Sequence, residues 1–299
     1  MNQITTFLYN RKIAPFVFLT PFLILFFIFK VYPVIQAVNI SFLDFQGMQN
    51  QTWVGTANYN SVFSNPRFFS ALQNTTVYTI GTLAILIPLP LVLAALLDSG
   101  RVAKATVFRV LLFLPALTSL VVVGTVFRLI LGREGILNNV LVSSLGVQPL
   151  RWLEVADLAL PSLIIVATWR WTGINMLYFN AALVNIPREL YEAAAIDGAG
   201  PFQMFFRITL PLIRPTTFFV VLLTIIGGYQ VFVEPFIVFP GGNSPGDSAL
   251  SMALLIYRTA FTSFEFGTAA AMGVVLALII LTLSLIQFRF FGVLQREAS

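Results

Sequence analysis

The sequence predicts an all-α integral membrane protein with six transmembrane helices. Composition, the length of the apolar runs and the placement of Lys and Arg carry that expectation. Of 299 residues, 58% are hydrophobic and only 10% charged, with a mean hydropathy of +0.89. A water-soluble domain carries roughly 25% charged residues to cover its surface. Too few are present here to solvate a globule.

Six apolar segments follow in order: 15–36, 75–97, 107–131, 158–183, 212–239 and 266–291. Each has about 22 to 28 residues, enough to cross roughly 30 Å of hydrocarbon with some tilt. Pro21, Pro33, Pro88, Pro90, Pro115, Pro161 and Pro235 fall inside them. In a bundle, neighbouring helices and waters satisfy the carbonyls that proline frees, so the helix expectation stands. The whole chain, 1–299, reads as one membrane domain.

Basic residues set the orientation. Arg11, Lys12, Arg101, Lys104, Arg109, Arg188, Arg207, Arg214, Arg289 and Arg296 collect on one side. Lys30, Arg67, Arg128, Arg133, Arg151 and Arg258 fall on the other, and Arg170 lies within a span. The bias puts both termini in the cytoplasm, and it explains a net charge of +5 without nucleic acid. Arg11-Lys12 leads into a run longer than a signal-peptide core, with no small-residue cleavage site, so no cleavable leader is expected. The outer segment 38–74, with Asp44, Trp53, Asn58 and Tyr59, is long enough for a small amphipathic cap.

Several chemistries are excluded. The chain has no cysteine and no histidine, which removes thiol nucleophiles, disulfides, Cys/His metal sites and imidazole acid–base catalysis. Its only lysines, Lys12, Lys30 and Lys104, follow Arg11, Phe29 and Ala103. A Walker-A loop needs Gly-Lys, so ATP is not bound in the P-loop manner. No enzyme is expected, no metal, and no cofactor in this chain.

Segment 185–211 reads NIPRELYEAAAIDGAGPFQMFFRITLP and lies on the cytoplasmic side. Pro187 suits the first helical position and Glu189 the positive end of the dipole. Gly198 is a natural stop in the left-handed conformation, and Pro201 opens a second helical stretch. The product is an amphipathic helix of about 16 Å. It reads either as a surface helix on lipid headgroups or as a docking element, since Ala193–Ala195 between Glu192 and Asp197 form a shallow face of close approach.

Glu192-Ala193-Ala194, then Gly198, then Ile208-x-Leu210-Pro211 match the EAA signature in composition and spacing. The chain thereby resembles the permease subunits of bacterial ABC importers, in the carbohydrate branch of the maltose/lactose/glycerol-phosphate type. Tyr32-Pro33, TWRWTGINMLYFNAAL at 168–183, Gly241-Gly242 and YRTAFTSFEFGTAAAMG at 257–273 agree with that branch. The resemblance implies the type I importer permease fold in the bacterial inner membrane. It also implies two cytoplasmic ATPase subunits holding ATP and Mg, a homologous second permease and an extracytoplasmic solute-binding protein. Carried over, Glu192 is the polar contact to the ATPase, Ala193 and Ala194 the close-packed face, Gly198 the hinge, and Asp197 orients the turn.

Polar residues within spans usually face the bundle interior. Trp169, Arg170, Trp171, Asn175, Tyr178 and Asn180 lie in the fourth span. Tyr229, Gln230, Phe232 and Glu234 lie beside Gly227-Gly228 in the fifth. Among them, Arg170, Asn175, Tyr178, Tyr229, Gln230, Phe232 and Glu234 are the candidate substrate-path residues. Aromatic faces beside amides and hydroxyls suit pyranose rings. The same residues also read as interface anchors or, for Arg170, as a structurally paired charge. The family often has Asp or Asn where Val233 stands and Thr where Phe239 stands, so Glu234 is expected to supply the missing polar group. An ion-coupled secondary transporter is the rival reading, and a permease for a non-sugar solute such as glycerol phosphate is another.

Overall fold

The computed structural model describes residues 14–45, 51–99 and 102–291. Four of the basic residues used for orientation, Arg11, Lys12, Arg101 and Arg296, lie outside them. The chain forms two compact units, one of residues 1–64 with 256–275 and one of residues 65–255 with 276–299.

In the first unit, α1 (Ala14–Ile40) is mostly apolar, with Lys30, Gln36 and Asn39 as exceptions, and exposed along its length, with a wide π-type turn at Phe27–Val31. A helix exposing so many apolar side chains suits lipid or another apolar partner. Pro33 does not end it, because proline at the second position of the final stretch needs no N–H partner. The outer segment then forms a hairpin, β1 (Leu43–Phe45) with β2 (Gln51–Trp53), antiparallel, followed by α2 (Ala57–Ser64). Asn58 ties the helix to the hairpin by donating to the carbonyls of Ser41 and Leu43 at 2.9 and 2.8 Å.

The second unit opens with α3 (Pro66–Leu86), whose start is capped when the Asn65 side chain accepts from the Arg67 N–H. The second span thus begins nine residues before the apolar run does, because Pro66 and the Asn65 cap nucleate it. It continues into α4 (Pro88–Asp98) across a break at Ile87. The third apolar run is not one straight helix. It divides into α5 (Ala105–Leu117) and α6 (Leu120–Ile130), bent by 101°. Thr118 and Ser119 are extended (ψ 141° and 133°), and hydropathy is blind to such a turn. A short α7 (Ile136–Leu145) follows. Its buried Asn138 gathers the carbonyls of Gly132, Arg133 and Leu150 while accepting from the Leu150 N–H and the Trp152 indole.

The long α8 (Ala156–Val184) is the centre of this unit. Small residues let its neighbours approach: a Cβ on Gly173 would collide with the backbone of Leu112 in α5. After α9 (Arg188–Ile196) the chain re-enters through α10 (Pro201–Leu212) and α11 (Arg214–Tyr229), bent by 67° where Pro215 follows Ile213 and Arg214. The fifth span therefore starts earlier than its hydropathy suggests and stops at Tyr229. Residues 233–238 form a separate α12 (Val233–Val238). The chain closes with α13 (Met252–Phe261) and α14 (Phe266–Phe290). In the second unit, Gln287 of α14 donates to the Phe218 carbonyl at 2.8 Å.

Among the described residues, three helices are long and apolar enough to cross a bilayer, or five if each bent pair counts as one span. Segment 158–183 lies in the 29-residue α8, diluted by Arg170, Asn175 and Asn180.

Candidate functional site

A cavity of about 420 Å³ opens in the second unit between α3, α8, α11 and α12. Its wall combines the rings of Tyr78, Trp171, Tyr178 and Phe232 with the amides of Asn175 and Gln230 and the carboxylate-bearing Glu234. Asn175 and Tyr178 are three apart on α8 and so share a face. The chain unwinds after Tyr229, since Gln230 and Phe232 have non-helical backbones, and α12 then starts at Val233. That break turns Gln230, Phe232 and Glu234 toward the same space. Gly228 permits it: a Cβ there would lie 2.5 Å from the Thr79 hydroxyl, so α3 and α11 close at that level.

Asn175, Tyr178, Gln230, Phe232 and Glu234 are thus brought together, with Trp171 added. Arg170 and Tyr229 are not. Arg170 is buried and points to the end of α5, donating to the Thr118 carbonyl at 2.5 Å, with Pro115 at 3.5 Å. Its guanidinium lies 5.1 Å from the centre of the Trp171 ring. A buried cation needs acceptors, and the terminal carbonyls of a helix are the nearest supply. Tyr229 faces α3, where its hydroxyl meets that of Thr76 at 3.0 Å.

Tyr78, Thr82 and Thr224 also line the cavity. The second span gave a usable signal for Thr82: Thr75, Thr79 and Thr82 recur on one helical face and are buried, each bonded to a carbonyl one turn earlier. Such a stripe marks the interior side of a span.

The second feature is α9. Glu189 lies in its first turn, and Gly198 just beyond has φ +80°, the left-handed stop expected of glycine. Pro187 precedes the helix rather than opening it. Tyr191 anchors the inner face, its hydroxyl 2.8 Å from that of Thr209, and Ile186 is buried beside Leu183 and Ile213. The opposite side is open. Glu192, Ala193, Asp197 and Gly198 are exposed and Ala194 half-buried, while Ile196 and Phe202 are 87% and 82% exposed.

Residues 11–298 match the family described as the binding-protein-dependent transport system inner membrane component. The chain belongs to this family. It is 40% identical to the arabinooligosaccharides transport system permease protein AraP of Halalkalibacterium halodurans, over 99% of this chain and 93% of that protein. It is 34% identical to the lactose transport system permease protein LacF of Rhizobium radiobacter, covering 91% of each. The permease also superposes on a chain of a bacterial ABC transporter involved in import of the acidic polysaccharide alginate. There the TM-score is 0.82 and the identity 25%, with 97% of this chain and 98% of that chain covered.

Proposed function

We propose that this permease carries a saccharide across the inner membrane as one half of an ATP-driven importer. The observation that carries the reading is the cavity in which four aromatic rings meet two amides and a carboxylate. Apolar sugar faces stack on such rings while the hydroxyl edges take hydrogen bonds. The relatives named for arabinooligosaccharides and lactose support that cargo. A phosphate ester is disfavoured, because among the described residues no lysine or arginine lines the cavity. An ion-coupled transporter leaves α9 without a purpose.

In this reading the two units act as a single permease domain, the apolar segments form six spans and both termini are cytoplasmic. A homologous second permease supplies the other half of the path. Two ATPase subunits bind ATP and Mg, and a solute-binding protein delivers the sugar from outside. α9 couples to an ATPase: Glu192 makes the polar contact, Ala193 and Ala194 pack, Asp197 orients the turn and Gly198 hinges it. A packed helix transmits rigid-body motion because it does not compress.

The test is ATPase activity of the purified assembly in lipid, with binding protein and candidate sugars, for wild type and Glu192→Lys. Stimulation by a sugar in the wild type, lost in the variant, supports the reading. Normal coupling in Glu192→Lys removes Glu192 as the contact, and transport with no ATPase bound overturns the importer.

A further inference from the structure

Among the described residues, the side chains that line the cavity carry one formal charge, and it is negative. Glu234 is 7% exposed and sits in the first turn of α12. The nearby cation acts on Glu234 electrostatically but offers a ligand no donor. Arg170 lies outside the lining, with its guanidinium committed to the Thr118 carbonyl and the Trp171 ring. A solute in this space therefore meets a carboxylate, two amides and hydroxyls, but no cationic donor.

Resting on the saccharide-import reading, we propose that Glu234 is a specificity-determining residue that excludes anionic saccharides and restricts this half of the path to neutral ones. A neutral sugar offers hydroxyl donors, which bond more strongly to a carboxylate than to a neutral acceptor. A uronate or phosphate brings a like charge into a partly desolvated site. At a separation of about 6 Å and an effective dielectric near 20, that repulsion weakens binding on the order of a hundredfold. Rejection through a repulsive element is a common route to specificity. The alginate transporter shares the fold while handling an acidic polysaccharide, so the fold itself does not set the charge of the cargo. Side chains at the path must set it.

The experiment measures calorimetric binding to the assembly in lipid nanodiscs without the binding protein. The probes are arabinotriose, trigalacturonate and the methyl ester of trigalacturonate. The wild type is expected to prefer the neutral trisaccharide over the uronate by on the order of 10- to 100-fold, and esterification should recover most of the difference. Glu234→Gln should narrow the gap from both sides, gaining uronate affinity and losing some for the neutral sugar. Equal wild-type binding of all three, an ester as weak as the acid, a gap unchanged in Glu234→Gln, or binding of none would each overturn the inference. The ester comparison needs no variant, so it holds if Glu234→Gln does not assemble. Import by the full system separates the two readings: neutral sugar entering while the gap is absent defeats the charge filter alone. Import of no sugar at all defeats the saccharide reading.

Discussion

Arg170 donates to the carbonyl oxygen of Thr118 at 2.5 Å and covers the face of Trp171. It lies at the broken end of α5, where the Thr118 carbonyl has no helical partner, Pro115 already accepting from the Thr118 N–H. A cation there also meets the negative end of the helix dipole. Arg170→Ala leaves the half-buried Thr118 carbonyl without its side-chain donor, at a cost of about 1–3 kcal/mol. The purified assembly should melt at a lower temperature. Arg170→Lys should recover part of the loss, because an ammonium donates but does not stack as a planar fork.

Gly173 lets α8 pass close to Leu112 of α5. An added methyl at Gly173 would run into the Leu112 carbonyl, a backbone atom that cannot rotate away. Gly173→Ala should therefore destabilise by about 1–3 kcal/mol, as overpacking does. Gly273→Ala is the control, since its Cβ meets nothing within 4 Å in α14. There the gain in helix propensity leaves thermal stability unchanged or slightly raised. Equal effects at both positions would refute the packing argument.

Much of this was legible in the sequence, and what was not has a physical cause. The stop of α9 at Gly198 could be read because only glycine enters the left-handed region freely. The 101° bend between α5 and α6 could not, because mean hydropathy does not respond to the backbone of Thr118 and Ser119. Polarity within a span marked Asn175 and Arg170 equally. The direction of each side chain separates them: the Asn175 wall faces the cavity, and the Arg170 guanidinium faces a helix end. Thr82 is less legible than an amide or a charge, because its hydroxyl bonds to a carbonyl of its own helix and so does not stand out within an apolar span.

The exposed side of α9 carries Ile196 and the start of α10 carries Phe202, 87% and 82% exposed. Both project from a segment whose inner face is already anchored by Tyr191 and Ile186. Ile196→Ser and Phe202→Ser together should reduce the amount of ATPase subunit that co-purifies with the permease, because apolar area buried at a contact is lost. The melting temperature of the permease itself should not fall, since neither side chain packs in its core. A fall in melting temperature with normal co-purification would mean that these residues stabilise the fold and do not dock.

Asn175 and Pro90 are linked through a carbonyl that belongs to neither. In a continuous helix the carbonyl of Leu86 would accept from the N–H of residue 90, but residue 90 is proline and has none. The Asn175 amide takes that place, donating to the Leu86 oxygen at 3.2 Å inside the bundle. Asn175→Leu should therefore destabilise in two ways, by stranding a buried carbonyl and by placing a larger apolar side chain at the cavity wall. Only the first depends on the proline. In a Pro90→Ala background the new backbone N–H can serve Leu86, so the same Asn175→Leu change should cost less, by about 1 kcal/mol. A double-mutant cycle on thermal or denaturant unfolding of the assembly reads that difference directly, because the term private to Asn175 cancels. Strict additivity would mean that Asn175 stabilises through the cavity alone and that water serves the Leu86 carbonyl.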